Sequence, residues 1–251
     1  MKQLYYSLLS TLILLTTHLS CQASESMIGT ELPVKYSVVG SGYSYPYYSK
    51  DPNREGIVPD IIKLIFDDSN IISKEIIYPP GRIEPSFDKK SLDLDIFNPQ
   101  WMVNKDERSL YAFSLSIIPF EDHIVYLTTT KAAIFIQGKL FDKDIGTVRG
   151  YSYGDNTVIK RVDFHSEKAL IQALKLNRLE YIICNKNIAK HWAKQLSVSI
   201  EIGPVYSEGF LHIRLRKKLK HLLPRINQSI NKLIENGEIN KVLQSYLSNL
   251  N

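Results

Sequence analysis

Residues 57–68 read IVPDIIKLIFDD and residues 92–97 read LDLDIF. In the first stretch Ile61, Ile62, Ile65 and Phe66 recur at helical spacing and form one apolar face. Pro59 opens that helix, which runs to about Asp68, because the first turn has no use for its missing N–H. The second stretch alternates apolar with acidic residues, which is the period of a strand. Between them Glu75 to Tyr78 reads as another strand, stopped by Pro79-Pro80-Gly81, and a short helix runs through Ile83 and Phe87. Upstream, Val34 to Val39 predicts a first strand that ends in the turn-forming Gly40-Ser41-Gly42. The order β-α-β-α-β implies a mostly parallel sheet covered by helices.

A second unit of the same kind follows. His123–Thr129, Ala133–Gln137 and Ile145–Val148 are predicted strands. Ser166 can cap a helix whose Ala169, Leu170, Ala173 and Leu174 share a face. Glu180–Cys184 is a buried strand, Asn187–Gln195 a helix and Val198–Ile202 a strand. Pro224 opens a helix with Ile226, Ile230, Leu233 and Ile234 at helical spacing, Gly237 stops it, and Ile239, Val242, Leu243 and Leu247 continue in a second amphipathic helix. The fold class is α/β in two units.

The first residues read as an export signal. Lys2 is followed by the apolar run Leu8–Leu15 and by small residues around Ser20–Ser24, too short an apolar segment for a bilayer span. Residues 1–23 are therefore expected to be removed after Ala23, or else Cys21 is lipidated, with His18 departing from the lipoprotein pattern. The expected location is the periplasm. Apart from Cys21 the sequence holds only Cys184, so the mature chain can form no internal disulfide, and Cys184 in its apolar run reads as a small core residue. The six histidines fall in no metal-ligand spacing, and no metal or cofactor is expected. Net charge is +5, yet the excess is spread out except at Arg214–Lys220, which reads as a solvated helix start and not as a phosphate-binding patch. No nucleic-acid partner is expected.

Six stretches in order resemble the extracellular solute-binding proteins, family 3, of polar amino-acid ABC transporters. They are Ser44-Tyr45-Pro46-Tyr47; Glu55-Gly56-Ile57-Val58-Pro59-Asp60; Leu92-Asp93-Leu94-Asp95-Ile96; Asp106-Glu107-Arg108 with Phe113-Ser114; Ile145-Gly146-Thr147-Val148-Arg149-Gly150; and Ile234-Glu235-Asn236-Gly237-Glu238-Ile239 with Tyr246-Leu247. The resemblance covers residues 33 to 249. It implies a two-lobed periplasmic-binding-protein (type II) fold with two hinge strands, near His123–Thr129 and Gly209–Leu215, and a ligand cleft. Residues 24–125 plus 208–251 would make lobe 1 and 126–207 lobe 2. Closure on a small polar ligand and docking on a membrane permease or receptor would follow, by a monomer that is not an enzyme.

On that resemblance Arg108 is the expected grip on a ligand carboxylate, since a guanidinium can hold one through two parallel hydrogen bonds. Read without it, Arg108 is a surface residue paired within the charged run 104–108. Tyr45 and Tyr47 offer aromatic walls or core filler. Trp101 follows a strand's carboxyl end, where open α/β sheets place ligands. Gly150, Tyr151 and Ser152 can present backbone N–H groups and a hydroxyl. Two positions depart from the family: Lys105 stands where a threonine or serine is usual, and neutral Asn185 where an aspartate receives the ligand's ammonium. With Arg82 as a further cation, an acidic or carboxylate-bearing ligand is the expectation. A sensor feeding a membrane receptor, a cyclohexadienyl-type dehydratase on the same fold, and a binder without a ligand are the competing readings.

Overall fold

The computed structural model describes residues 32–38, 40, 42–102, 104–130, 143–153 and 159–248. The leader at 1–23 and the strand expected at Ala133–Gln137 lie outside the described residues.

The first half of the fold is built on three parallel strands. β1 (Val34–Ser37) lies between β4 (Ser73–Glu75) and β5 (Leu94–Phe97), parallel to both. β2 (Tyr43–Ser44) and β3 (Tyr48–Ser49) form a small hairpin that the sequence reading did not separate. Helix α1 (Ile57–Asp68) begins two residues before Pro59. Its Ile57, Ile61, Ile62, Ile65 and Phe66 are almost fully buried. Each such side chain contributes about 1.5–3 kcal/mol through its removal from water. Helix α2 (Ile83–Asp88) is short, and β6 (Tyr111–Phe113) adds a third small strand.

The second half comprises β7 (Ile118–Leu127), β8 (Asp144–Val148), β9 (Lys160–Phe164), β10 (Tyr181–Asn185) and the first part of β11 (Ile200–Arg216). Strand order across the whole sheet is β4-β1-β5-β11-β7-β10-β8-β9, with β6 paired to β11. β8, β9 and β10 are parallel where they pair, and β7 runs antiparallel to both β10 and β11. Helix α3 (Glu167–Lys175) is capped by Ser166, whose hydroxyl accepts from the Ala169 N–H at 3.3 Å, and it packs on α4 (Lys186–Leu196). The C-terminal α5 (Leu223–Glu235) and α6 (Glu238–Leu247) pack back on α1. Gly237, at φ +77°, makes the left-handed turn between them that a side chain would strain.

The 17-residue β11 joins the halves. Residues 200–211 pair with β7 and residues 212–216 with β5 and β6, with register shifts between Ile202, Val205 and Ser207. The sequence reading broke this strand in two, at Val198–Ile202 and at the hinge strand Gly209–Leu215 that the family resemblance implies, and read the basic stretch from Arg214 onward as a solvated helix start. Arg214 is instead a strand residue, 1% exposed, because the β5–β11 register sets it opposite the fully buried Asp95. Lys217, Lys218 and Lys220, in the 3-10 turn that follows, are the solvated part of that stretch.

The Arg214 guanidinium donates from Nε and Nη2 to the two Asp95 carboxylate oxygens at 2.9 and 2.7 Å, and from Nη1 to Glu84 at 2.7 Å. Its plane lies against three rings, 3.9 Å from the centre of Phe97, 4.6 Å from Phe87 and 4.7 Å from Tyr111. Removing one member of such a pair strands a charge in the interior. Asp95→Ala is therefore expected to cost about 3–5 kcal/mol in urea unfolding. The double variant Asp95→Leu, Arg214→Met should recover much of that loss; equal destabilisation by single and double variants would show that the pairing is not what matters.

Candidate functional site

A cavity of about 430 Å³ lies between the two halves of the sheet. That is within the range of small-molecule sites, about 300–1,000 Å³. Its roof is the β2–β3 hairpin and the carboxyl end of β5, which bring Ser44, Tyr47, Phe97 and Trp101; its floor is β7, β10 and the start of α3, which bring Phe120, Asp122, Asn185 and Glu167.

One wall is a continuous arc of rings. Phe97 meets Trp101 edge-on at 5.5 Å, Trp101 meets Phe120 at 5.5 Å, and Phe120 meets Tyr47 at 5.0 Å. Such edge-to-face pairs fix ring orientation beyond what area burial alone would do. The Trp101 indole Nε1 is buried and has no hydrogen-bond partner among the described residues.

Polar contacts close the rim. The Ser152 hydroxyl donates to the Trp101 carbonyl. Ser44 donates to Glu167 at 2.7 Å, and Tyr151 donates to the same oxygen at 3.0 Å. Asn187 donates to the Tyr47 hydroxyl at 3.1 Å, and the Trp192 indole to the Tyr43 carbonyl at 2.6 Å. Gly150, at φ +82°, abuts Gly81 so closely that a Cβ on it would stand 2.5 Å from the Gly81 nitrogen. Two glycines in contact allow backbone to meet backbone across the cavity's edge.

The lining is acidic. It carries five carboxyl groups (Glu84, Asp95, Glu107, Asp122 and Glu167) and, among the described residues, one basic side chain, Arg214. Burial works against that cation, but Asp95 and Glu84 more than offset it and hold its pKa above the ordinary arginine value. Asp122 differs from Asp95. It sits on β7 opposite Ser207 of β11 and Asn185 of β10, and its carboxylate accepts from the Ser207 hydroxyl at 3.1 Å. Burial, reinforced by the charge of Glu167, pushes its pKa up to about 7, against the lowering effect of the Ser207 bond. Burial also pushes the Tyr151 and Tyr153 phenols and the Cys184 thiol well up, so all three enter as neutral groups.

The structure places the sequence-derived candidates in two sets. Tyr47, Trp101, Gly150, Tyr151, Ser152 and Asn185 line the cavity. Arg108, Arg82 and Tyr45 do not. Arg108 lies in the exposed 3-10 segment Lys105–Leu110, with its guanidinium 5.6 Å from the centre of the Phe113 ring. Arg82 is exposed before α2. Tyr45 instead packs half-buried at a tilt against the rings of His191, 4.5 Å away, and Tyr246, 6.1 Å away. Asn185 lines the cavity but has structural partners at both ends of its amide: Oδ1 caps α4 by accepting from the Asn187 N–H at 2.9 Å, and Nδ2 donates to the Glu121 carbonyl at 2.8 Å. Sequence reading missed Asp122, Glu167, Phe97, Phe120 and Arg214. Strand alternation along β7 was the available signal, since it puts Phe120, Asp122 and Ile124 on one face.

Neither a protein-family model nor a curated protein matches the chain. Solved structures do. The chain is similar to an arginine 3rd transport system periplasmic binding protein from Legionella pneumophila, at 17% identity and TM-score 0.68 over 86% of this chain and 99% of that one. It is similar to the GluR0 ligand-binding core from Nostoc punctiforme in complex with L-glutamate, at 18% identity and TM-score 0.69 over 86% and 99%. A substrate-binding protein of an ABC uptake transporter from Streptococcus pneumoniae, with bound histidine, matches at 16% identity and TM-score 0.69 over 86% and 92%. The fold is the type II periplasmic-binding-protein fold. In the chain described here, the binding-protein fold carries an acidic cavity in a protein of net charge +5. Among the described residues no helix is long and apolar enough to cross a membrane.

The buried acid makes stability depend on pH. An unfolded aspartate titrates near 4, so between about pH 4 and 7 the folded state binds the extra proton at Asp122. Stability from this group is greatest below pH 4 and falls as pH rises to 7, by about 4 kcal/mol at most. Asp122→Asn should flatten that part of the pH–stability curve and raise the melting temperature at pH 8 relative to wild type. A parallel curve for the variant would rule out the raised pKa.

Proposed function

We propose that this chain is an exported solute-binding protein that encloses an organic molecule of amino-acid size and delivers it to an ABC permease. The observation that carries the reading is the ring-walled cavity of about 430 Å³ between two sheet halves that share β11. The lobes are residues 24–125 with 208–251, and 126–207, and they close about β7 and β11. The contacts at the rim support reversible closure. Among the described residues they include polar bonds that water can replace on opening, from Ser44 to Glu167, Asn187 to Tyr47 and the Trp192 indole to the Tyr43 carbonyl. The N-terminal leader supports export to the periplasm, with release after Ala23 or lipidation at Cys21.

Likeness to a receptor's ligand core supports a second reading, a sensor that reports occupancy to a membrane receptor. Both readings share the same cavity and closure. An enzyme of the cyclohexadienyl-dehydratase type is disfavoured. Its acidic substrate needs a cation, and the guanidinium in the lining already serves two carboxylates.

A ligand that binds only the folded protein raises its stability, by about 2.7 kcal/mol at a hundred times its Kd. The mature protein from Ser24 should show a concentration-dependent rise in melting temperature with at least one member of a panel of amino acids, amines and organic acids. Phe120→Ala, which removes the ring shared by Trp101 and Tyr47, should weaken that ligand at least tenfold. Arg108→Ala should leave it within about twofold. The reverse pattern would move the site out of the cavity and onto the segment around Arg108.

A further inference from the structure

Resting on the binding function above, we propose that the cavity selects organic cations without a carboxylate, amines carried on an apolar or aromatic body, with Asp122 as their counter-charge. The class follows from which charges the cavity leaves uncompensated. An α-amino acid needs a cation for its carboxylate. Arg214 meets Asp95 through two of its nitrogens and Glu84 through the third. Arg108 and Arg82 stand outside the lining. An ammonium meets the opposite situation. Asp122 is 7% exposed, lines the cavity, and has the Ser207 hydroxyl as its hydrogen-bond partner; among the described residues no lysine, arginine or histidine forms an ion pair with it. Lys186, beside the register partner of Asp122, and His123, next to it in sequence, are both engaged by Glu121.

The rest of the cavity suits such a ligand. Glu167, on α3, adds negative charge to the same floor while accepting from Ser44 and Tyr151. The ring arc supplies faces that attract a cation and edges that pack on its apolar body. Carboxylate-bearing relatives of the same ligand would set a second negative charge into a lining already rich in acids, which is a way to exclude them as well as to leave them unpaired.

Affinity should also follow the ionisation of Asp122. The titratable groups facing it are Glu167 on α3, Tyr47 beside the hairpin, Tyr153 after β8 and Cys184 on β10, with Glu121 and His123 as neighbours on its own strand. Tyr47, Tyr153 and Cys184 are held neutral by burial near pH 7. Binding of an amine therefore tightens as pH rises toward and past 7 and Asp122 sheds its proton, and bound amine lowers the Asp122 pKa in return.

Matched pairs that differ by one carboxylate test this directly: phenethylamine with phenylalanine, tyramine with tyrosine, agmatine with arginine, and cadaverine with lysine. Calorimetry on the mature chain is expected to show at least one amine binding ten times or more tighter than its amino acid, and weakening about tenfold from pH 8 to pH 6. Asp122→Asn, which keeps size and an acceptor for Ser207, should weaken that amine at least thirtyfold and abolish the pH dependence. Wild-type pH titration stands by itself if the variant does not fold. Amino acids that bind as tightly as their amines would overturn the inference and leave the binding function in place. If no member of either set binds, the inference falls, and the wider thermal-shift panel decides the binding function.

Discussion

Arg214 and Asp95 fix the register on β5 of the strand that both halves of this protein share, and much else depends on their pairing. β11 is the strand common to both halves, and it turns from β7 to β5 within a few residues of Arg214. Two fully buried opposite charges in strand register define that junction in a way that apolar residues, which tolerate slippage, would not. The guanidinium also lies against Phe97, the first ring of the arc that walls the cavity. Position of the wall and register of the joining strand are thus set by the same side chain.

This double duty has a consequence for chemistry. A buried arginine at the edge of a cavity ordinarily reads as an anion site. Here every nitrogen of the guanidinium already meets a carboxylate, and the pair is close to neutral as seen from the cavity. What remains to act on a bound molecule is the second buried aspartate, Asp122, on the neighbouring strand β7, with the buried Glu167 on the same floor. Two aspartates one strand apart therefore have opposite roles: one is compensated and holds the fold, the other is uncompensated and its proton is held by burial.

The sequence was legible where local signals and tertiary demands agree. Helix α1 carries its apolar face at Ile61, Ile62, Ile65 and Phe66; α3 has its Ser166 cap; Gly237 separates the last two helices. Each of these is decided within a dozen residues. Strand β9 was missed because Lys160–Phe164 reads Lys-Arg-Val-Asp-Phe, and its polar pairing with β8 shows only in the folded chain, as in the 2.6 Å Lys160–Asp144 ion pair and the 2.6 Å bond from the Thr147 hydroxyl to the Asp163 carboxylate. Arg214 was read as surface for a related reason. A basic run looks solvated unless the acid opposite its first member, more than a hundred residues away, is known. The site was half legible for the same cause: rings and glycines at loop positions announced themselves, whereas Asp122, inside Phe120-Glu121-Asp122-His123, looked like one more exposed charge.

In the proposed cycle, Asp122 explains why closure and binding belong together. Strand β7 pairs with both β11 and β10, so its carboxylate cannot move to solvent without disturbing the joint between the lobes. Ionised in the empty closed form, it carries a desolvation cost that favours opening. Protonated, or facing a bound cation, it loses that cost. The polar rim contacts from Ser44, Tyr47 and Tyr43 are worth little net free energy each, because water replaces them on opening. The balance between open and closed forms then turns on the charge state of one buried acid, and a cation that neutralises it supplies the differential affinity that a shift toward the closed state requires.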